Sequence, residues 1–229
     1  MTLWAFVDDS GDENAYAVGG YIAPIGVIQK LSADWSAVCT ESPPIEYYRT
    51  HDAITLSQCF SNWEPEVRDA KVARLASVIP IENCYGITTH LSPEDLKEIG
   101  EFVFRYPYDN PYFSCVASLI ALICTSRFPF LSQASKLDFF FDEQGKIGKQ
   151  FQNLFDILLK PIFLTLGNCY HLDDRQFPPL QAADMNAAWI RSHESHSQML
   201  TSADIFLSHI KYFDFRINRD FLGSLGKGL

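Results

Sequence analysis

The sequence predicts an α/β fold: a mixed sheet of about five strands that opens in an antiparallel hairpin, continues with parallel strands and is flanked by helices. Three observations predict it. The first two strand-like runs are joined by a short loop of Gly, Asp and Asn, the composition of a hairpin turn. After them, strand-like and helical segments alternate, which is the order of a sheet covered on both faces. Hydrophobic residues make up 47% of the chain and charged residues 20%, and 18 Phe and 10 Tyr supply a bulky aromatic core. At 229 residues one domain spanning 1–229 is expected, with a helical insertion around 25–80 and a helical tail from about 194.

Taken in order, Leu3 to Val7 is a short apolar run that ends in Asp8-Asp9-Ser10-Gly11-Asp12, a strong turn signal. Tyr16 to Ala23 is the second strand, stopped by Pro24. Ile28, Leu31, Trp35 and Val38 then follow helical spacing. Pro65 to Val78 is a helix with proline near its start, and Cys84 to Leu91 is a third strand. Ser92-Pro93-Glu94-Asp95 is an N-cap signature for a helix reaching about Phe104. Pro111 opens a helix to about Ser126 that is apolar on most of its circumference and so buried. Leu137 to Phe141 is a buried central strand ending in Asp142-Glu143-Gln144-Gly145. Gly148 to Leu166 is a long amphipathic helix that Pro161 should kink or split. Asn168 to Leu172 is a brief strand ending in Asp173-Asp174, and Pro178-Pro179 starts a helix to about His193.

Composition excludes several functions. A net charge of −10 argues against a protein that sequesters nucleic acid by bulk attraction, though not against an enzyme that meets it transiently through metal ions. The six cysteines lack any Cys-x-x-Cys pair, so neither a zinc ribbon nor a disulfide framework is indicated. The N-terminal residues turn acidic without a basic segment, unlike a signal peptide, and the longest apolar stretch is too short to span a bilayer. A cytoplasmic location without membrane partners is expected; a homo-oligomer stays open.

Acids recur where strands end: Asp8 and Asp9, then Asp142 and Glu143, then Asp173 and Asp174. Ligands of open α/β sheets gather outside the carboxyl ends of strands. If the first and fourth strands are parallel neighbours, Asp8 and Asp142 leave the same edge, and Asp184 can join them from the helix begun by Pro178-Pro179. Three converging carboxylates need a counter-charge, and oxygen ligands favour Mg²⁺ or Mn²⁺ over zinc. Two such ions, roughly 4 Å apart, can activate water and stabilise the leaving oxygen of a phosphodiester. The bland alternative is that Asp, Ser and Gly simply make turns. Asp184 resists it, because it sits among small and apolar residues from Leu180 to Trp189, where an unpaired carboxylate is costly.

Other residues carry weaker signals. His51 in Tyr48-Arg49-Thr50-His51-Asp52 could bind metal, phosphate or a base, or only end a helix. His193, Glu194 and His196 have metal-compatible spacing, which a polar helix terminus explains more simply. Arg191, Lys146 and Lys149 could contact phosphates, and Ser10 could be a nucleophile only with a histidine base nearby.

Phe6-Val7-Asp8-Asp9-Ser10-Gly11, Phe139-Phe140-Phe141-Asp142-Glu143 and Leu180-Gln181-Ala182-Ala183-Asp184 together resemble the bacterial and phage family known as domain of unknown function 3800. Tyr48-Arg49-Thr50-His51-Asp52-Ala53 resembles a histidine-bearing segment often found there. The resemblance runs from residue 4 to about 192 and implies a ribonuclease H-like fold. It implies Asp8, Asp142 and Asp184 as metal ligands and catalytic residues, with Asp9, Glu143, His51 and Gln181 in support. Asp9 stands where the family usually has glutamate. Two functions follow as expectations: a Mg²⁺- or Mn²⁺-dependent nuclease acting on DNA or RNA, or a non-catalytic binding or partner-recruiting module of a defence or mobile-element system.

Overall fold

In the computed structural model, residues 1–11, 15–92, 94–95, 110–125, 136–194 and 201–217 are described. Six strands pair into one mixed sheet: β1 (Thr2–Gly11), β2 (Tyr16–Pro24), β3 (Tyr85–Leu91), β4 (Lys136–Asp142), β5 (Leu166–Leu172) and β6 (Lys211–Arg216). Their spatial order is β5-β4-β1-β2-β3-β6. β1, β2 and β3 are antiparallel to their chain neighbours, whereas β4 lies parallel to β1, β5 to β4 and β6 to β3. The fold is therefore α/β, as expected, with one strand more than expected.

Period-2 alternation divides the sheet between two cores. Leu3, Ala5 and Val7 of β1 and Leu137, Phe139 and Phe141 of β4 pack on one face. Two helices cover that face, α4 (Pro111–Thr125) and α5 (Gly145–Leu154). Phe6 of β1, Phe140 of β4 and Tyr21 of β2 lie on the other face. There they meet α1 (Ile25–Thr40), α3 (Pro65–Ala76), α6 (Pro178–Glu194) and α7 (Thr201–Leu207). The short α2 (Thr50–Thr55) joins α1 to α3 through a 3₁₀ turn, Gln58–Phe60.

Helix α6 rides low across the sheet because β2 offers it glycine. A Cβ on Gly19 would lie 3.1 Å from Ala187 Cα and 3.2 Å from Ala187 N, both backbone atoms of α6 that cannot swing aside. Buried Asn186 fixes the same approach, donating from Nδ2 to Gly20 O at 3.0 Å and accepting at Oδ1 from Tyr212 OH at 2.7 Å. Gly19→Val should lift the helix and destabilise the protein by about 1–3 kcal/mol. Urea denaturation reads this directly, and an unchanged midpoint would show that α6 is not held there.

Four expectations need correction or limits. The first strand does not stop at Val7: Asp8 to Gly11 continue it, paired with Tyr16 to Gly19. Backbone pairing in the ladder outweighs their turn propensity, and residues 12–14, which include Asp12 of the predicted turn, lie outside the described residues. The tail from about 194 is not helical throughout, because Lys211–Arg216 adds to the sheet as β6, where Tyr212, Phe213 and Phe215 suit a half-buried strand. The expected helix to Leu166 ends at Ile162; a π turn, Phe155–Leu159, precedes its last residues, Lys160–Ile162. Pro161 cannot donate the regular helical hydrogen bond, so the chain widens there and then leaves the helix. At the predicted cap before Phe104, Ser92 Oγ accepts from Asp95 N at 3.2 Å; residues 96–104 lie outside the described set. No helix among the described residues is long and apolar enough to cross a membrane.

Candidate functional site

The β1–β4 parallel register places Val7 opposite Phe141, so Asp8, within β1, lies level with Asp142, the last residue of β4. Alternation then sets their direction. Each follows a residue of the α4–α5 face, so both side chains turn to the α6 face. Asp8 also pairs with Gly19, the residue over which α6 passes at Ala187. Asp184 lies one turn earlier on that helix. Asp8, Asp142 and Asp184 thus line one cleft of about 460 Å³, together with Arg49, Asp174 and Arg191.

The cleft is electrostatically loaded. Burial pushes the Asp8 carboxyl well above the ordinary carboxylate value, and the charges of Asp184, Asp9 and Asp142 push it further. Burial, then Asp174, raises Asp142 to about 6. Burial also raises Asp184 to about 6, against the opposing pull of hydrogen bonds from Thr50. One of those bonds runs from Thr50 N to Asp184 Oδ2 at 2.6 Å. Such a group of mutually repelling, desolvated acids is the environment in which a bound cation is favoured. The donor set is all oxygen, which fits a hard divalent ion. Among the described residues, however, no three His, Cys, Asp or Glu side chains are grouped closely enough to hold an ion as they stand.

Supporting residues divide by role. Asp9 follows Asp8 and so faces the opposite side of the sheet. Its Oδ2 accepts from Tyr16 OH at 2.6 Å and its Oδ1 from Gln144 Nε2 at 2.7 Å. Its backbone N–H donates to Asp8 Oδ1 at 2.8 Å, so Asp9 orients its neighbour while its own oxygens are engaged. Gln181 is buried behind the cleft. Its Oε1 accepts from Trp35 Nε1 at 2.9 Å and Tyr48 N at 3.0 Å, and its Nε2 donates to Asp174 O at 3.0 Å. It ties the segment before α2 to the turn after β5. Gln181→Leu strands two buried donors and should cost about 1–3 kcal/mol for each; a loss below about 0.5 kcal/mol by urea denaturation would remove this role.

His51 lines the cleft but is exposed, and Glu143 is exposed outside the lining. Arg191 joins the lining; Lys146 and Lys149 are exposed away from it. His193 Nδ1 lies 2.9 Å from Trp189 O within its own helix, while the side chain of Glu194 and all of His196 lie outside the described residues. Sequence reasoning missed the Arg49–Asp174 ion pair, with Nε to Oδ2 at 2.9 Å, and the Asp174 N bond to Asp142 Oδ1 at 3.3 Å. Asp174 was among the strand-end acids, but nothing in its spacing separated it from Asp173. Neither a scan against protein-family models nor a search of curated proteins finds a match to this chain.

Proposed function

We propose that the cleft binds Mg²⁺ or Mn²⁺ and that the protein is a metal-dependent nuclease or related phosphodiester hydrolase, a ribonuclease H-like member of the domain of unknown function 3800 family. One observation carries the reading: Asp8, buried within β1, shares a cleft with Asp142 and Asp184 and feels the charge of both. A bound divalent ion would neutralise these charges, polarise a phosphoryl oxygen and supply hydroxide at neutral pH.

The chain's own residues do the rest. Asp8, Asp142 and Asp184 are the ligands. Thr50 holds Asp184 through its backbone N–H, Asp9 holds Asp8 through its own, and Asp174 holds Asp142. Each ligand therefore keeps a partner that restrains it, and side-chain movement would still have to draw all three onto one ion. Purified protein with Mn²⁺ should cut single-stranded or duplex DNA or RNA and should stop when the ion is chelated. Cutting that persists in excess chelator would refute the reading.

A second reading, a non-catalytic binding or partner-recruiting module, is favoured by the carboxylates not being grouped at ligand distance and by the net charge of −10. Calorimetric titration separates the two. Heat of Mn²⁺ binding that depends on Asp8 supports the enzyme, and its absence supports the module.

A further inference from the structure

Arg49 is a cation set among acids. Its Nε donates to Asp174 Oδ2 at 2.9 Å, while its side chain remains 42% exposed along the cleft. Asp174 is itself buried and held by its backbone, through its N–H to Asp142 and its carbonyl from Gln181. The pair is thus a fixed bracket rather than a swinging surface contact. Neutralising Asp174 would be served best by a fork-to-fork pair, in which Nη also binds the carboxylate. Here the hydrogen bond is made by Nε, and among the described residues the two Nη atoms make none.

We propose that Arg49 is the oxyanion-binding residue of the cleft, donating from its Nη edge to the non-bridging oxygens of a phosphodiester that lies over Asp8, Asp142 and Asp184. The proposal rests on the metal-site reading and adds what the ligand must be. Carboxylates alone repel an anion. A planar cation anchored beside them selects one, and its spaced donors match two oxygens of a phosphate, which a lysine ammonium does not. Thr50, the next residue, is bonded to Asp184, so the segment that sets the ligand also sets the guanidinium.

Two binding measurements on the full chain test this: anisotropy of a short labelled single-stranded oligonucleotide in Ca²⁺, and calorimetric titration with Mn²⁺ alone. Arg49→Ala should weaken oligonucleotide binding about tenfold or more, and Arg49→Lys should reproduce most of that loss. Both variants should bind Mn²⁺ at least as tightly as the parent, because Arg49→Ala removes a competing positive charge and Arg49→Lys keeps one. Unchanged oligonucleotide affinity in Arg49→Ala overturns the proposal. So does a parallel loss of Mn²⁺ and oligonucleotide binding in both variants, which marks Arg49 as purely structural. A parent protein that binds Mn²⁺ but no oligonucleotide overturns the oxyanion assignment alone; one that binds no Mn²⁺ overturns the metal reading and this proposal with it.

Discussion

Asp8→Asn is expected to lower Mn²⁺-dependent cutting of nucleic acid by at least about 10²–10³-fold while leaving the protein folded. The side chain changes little in volume, so packing around Asp8 in β1 survives. The variant loses the carboxylate on which Asp184, Asp9 and Asp142 all act, and with it a ligand that an amide oxygen replaces poorly for a hard cation. Without metal the same change should stabilise the fold, because a buried charge repelled by its neighbours has been removed. Greater stability with lost activity is the signature of a functional acid. Equal cutting by parent and variant would remove Asp8 from the chemistry.

In chelator, the parent protein should lose stability as pH rises from about 4 through 6 and beyond. The sign follows from the folded-state shifts. Asp142 and Asp184 are raised from the ordinary 3.8 to about 6, and Asp8 is raised well above it. In this interval the unfolded chain releases protons that the folded chain retains. Stability is fully present below the unfolded value and is lost as pH rises through the folded ones. The loss is on the order of 1–3 kcal/mol for each of Asp142 and Asp184, discounted for solvent at half-buried Asp142. Mn²⁺ should reverse the trend, because it binds the ionised carboxylates and stabilises the fold more at neutral than at acid pH. Urea midpoints across this range, with and without Mn²⁺, check both signs. A stability that rises with pH in chelator would show that the acids are not desolvated together.

Much of the site was legible because it follows from strand periodicity. Asp8 and Asp142 each end an apolar run, and parallel pairing brings such ends to one edge. Asp184 was legible from the small and apolar residues around it, which are the ones that let α6 approach Gly19. The same periodicity could have separated the partners of Asp9 from those of Asp8: adjacent strand residues face opposite ways, and although both residues line the cleft, the Asp9 carboxylate is engaged by Tyr16 and Gln144. The pairing of Arg49 with Asp174 was not legible. The two residues come from irregular segments before α2 and after β5, and only the folded chain joins them through Gln181 and their ion pair. β6 was hidden for another reason. Lys211 to Arg216 mixes charge and aromatics without clean alternation, since its side chains are only partly covered at the sheet edge.

If Asp8, Asp142 and Asp184 together hold one divalent ion, a Mn²⁺-soaked crystal will show it. The anomalous signal should place manganese with carboxylate oxygens of all three residues about 2.1 Å away. Manganese bound elsewhere, or no manganese in the cleft at a saturating soak, would contradict it.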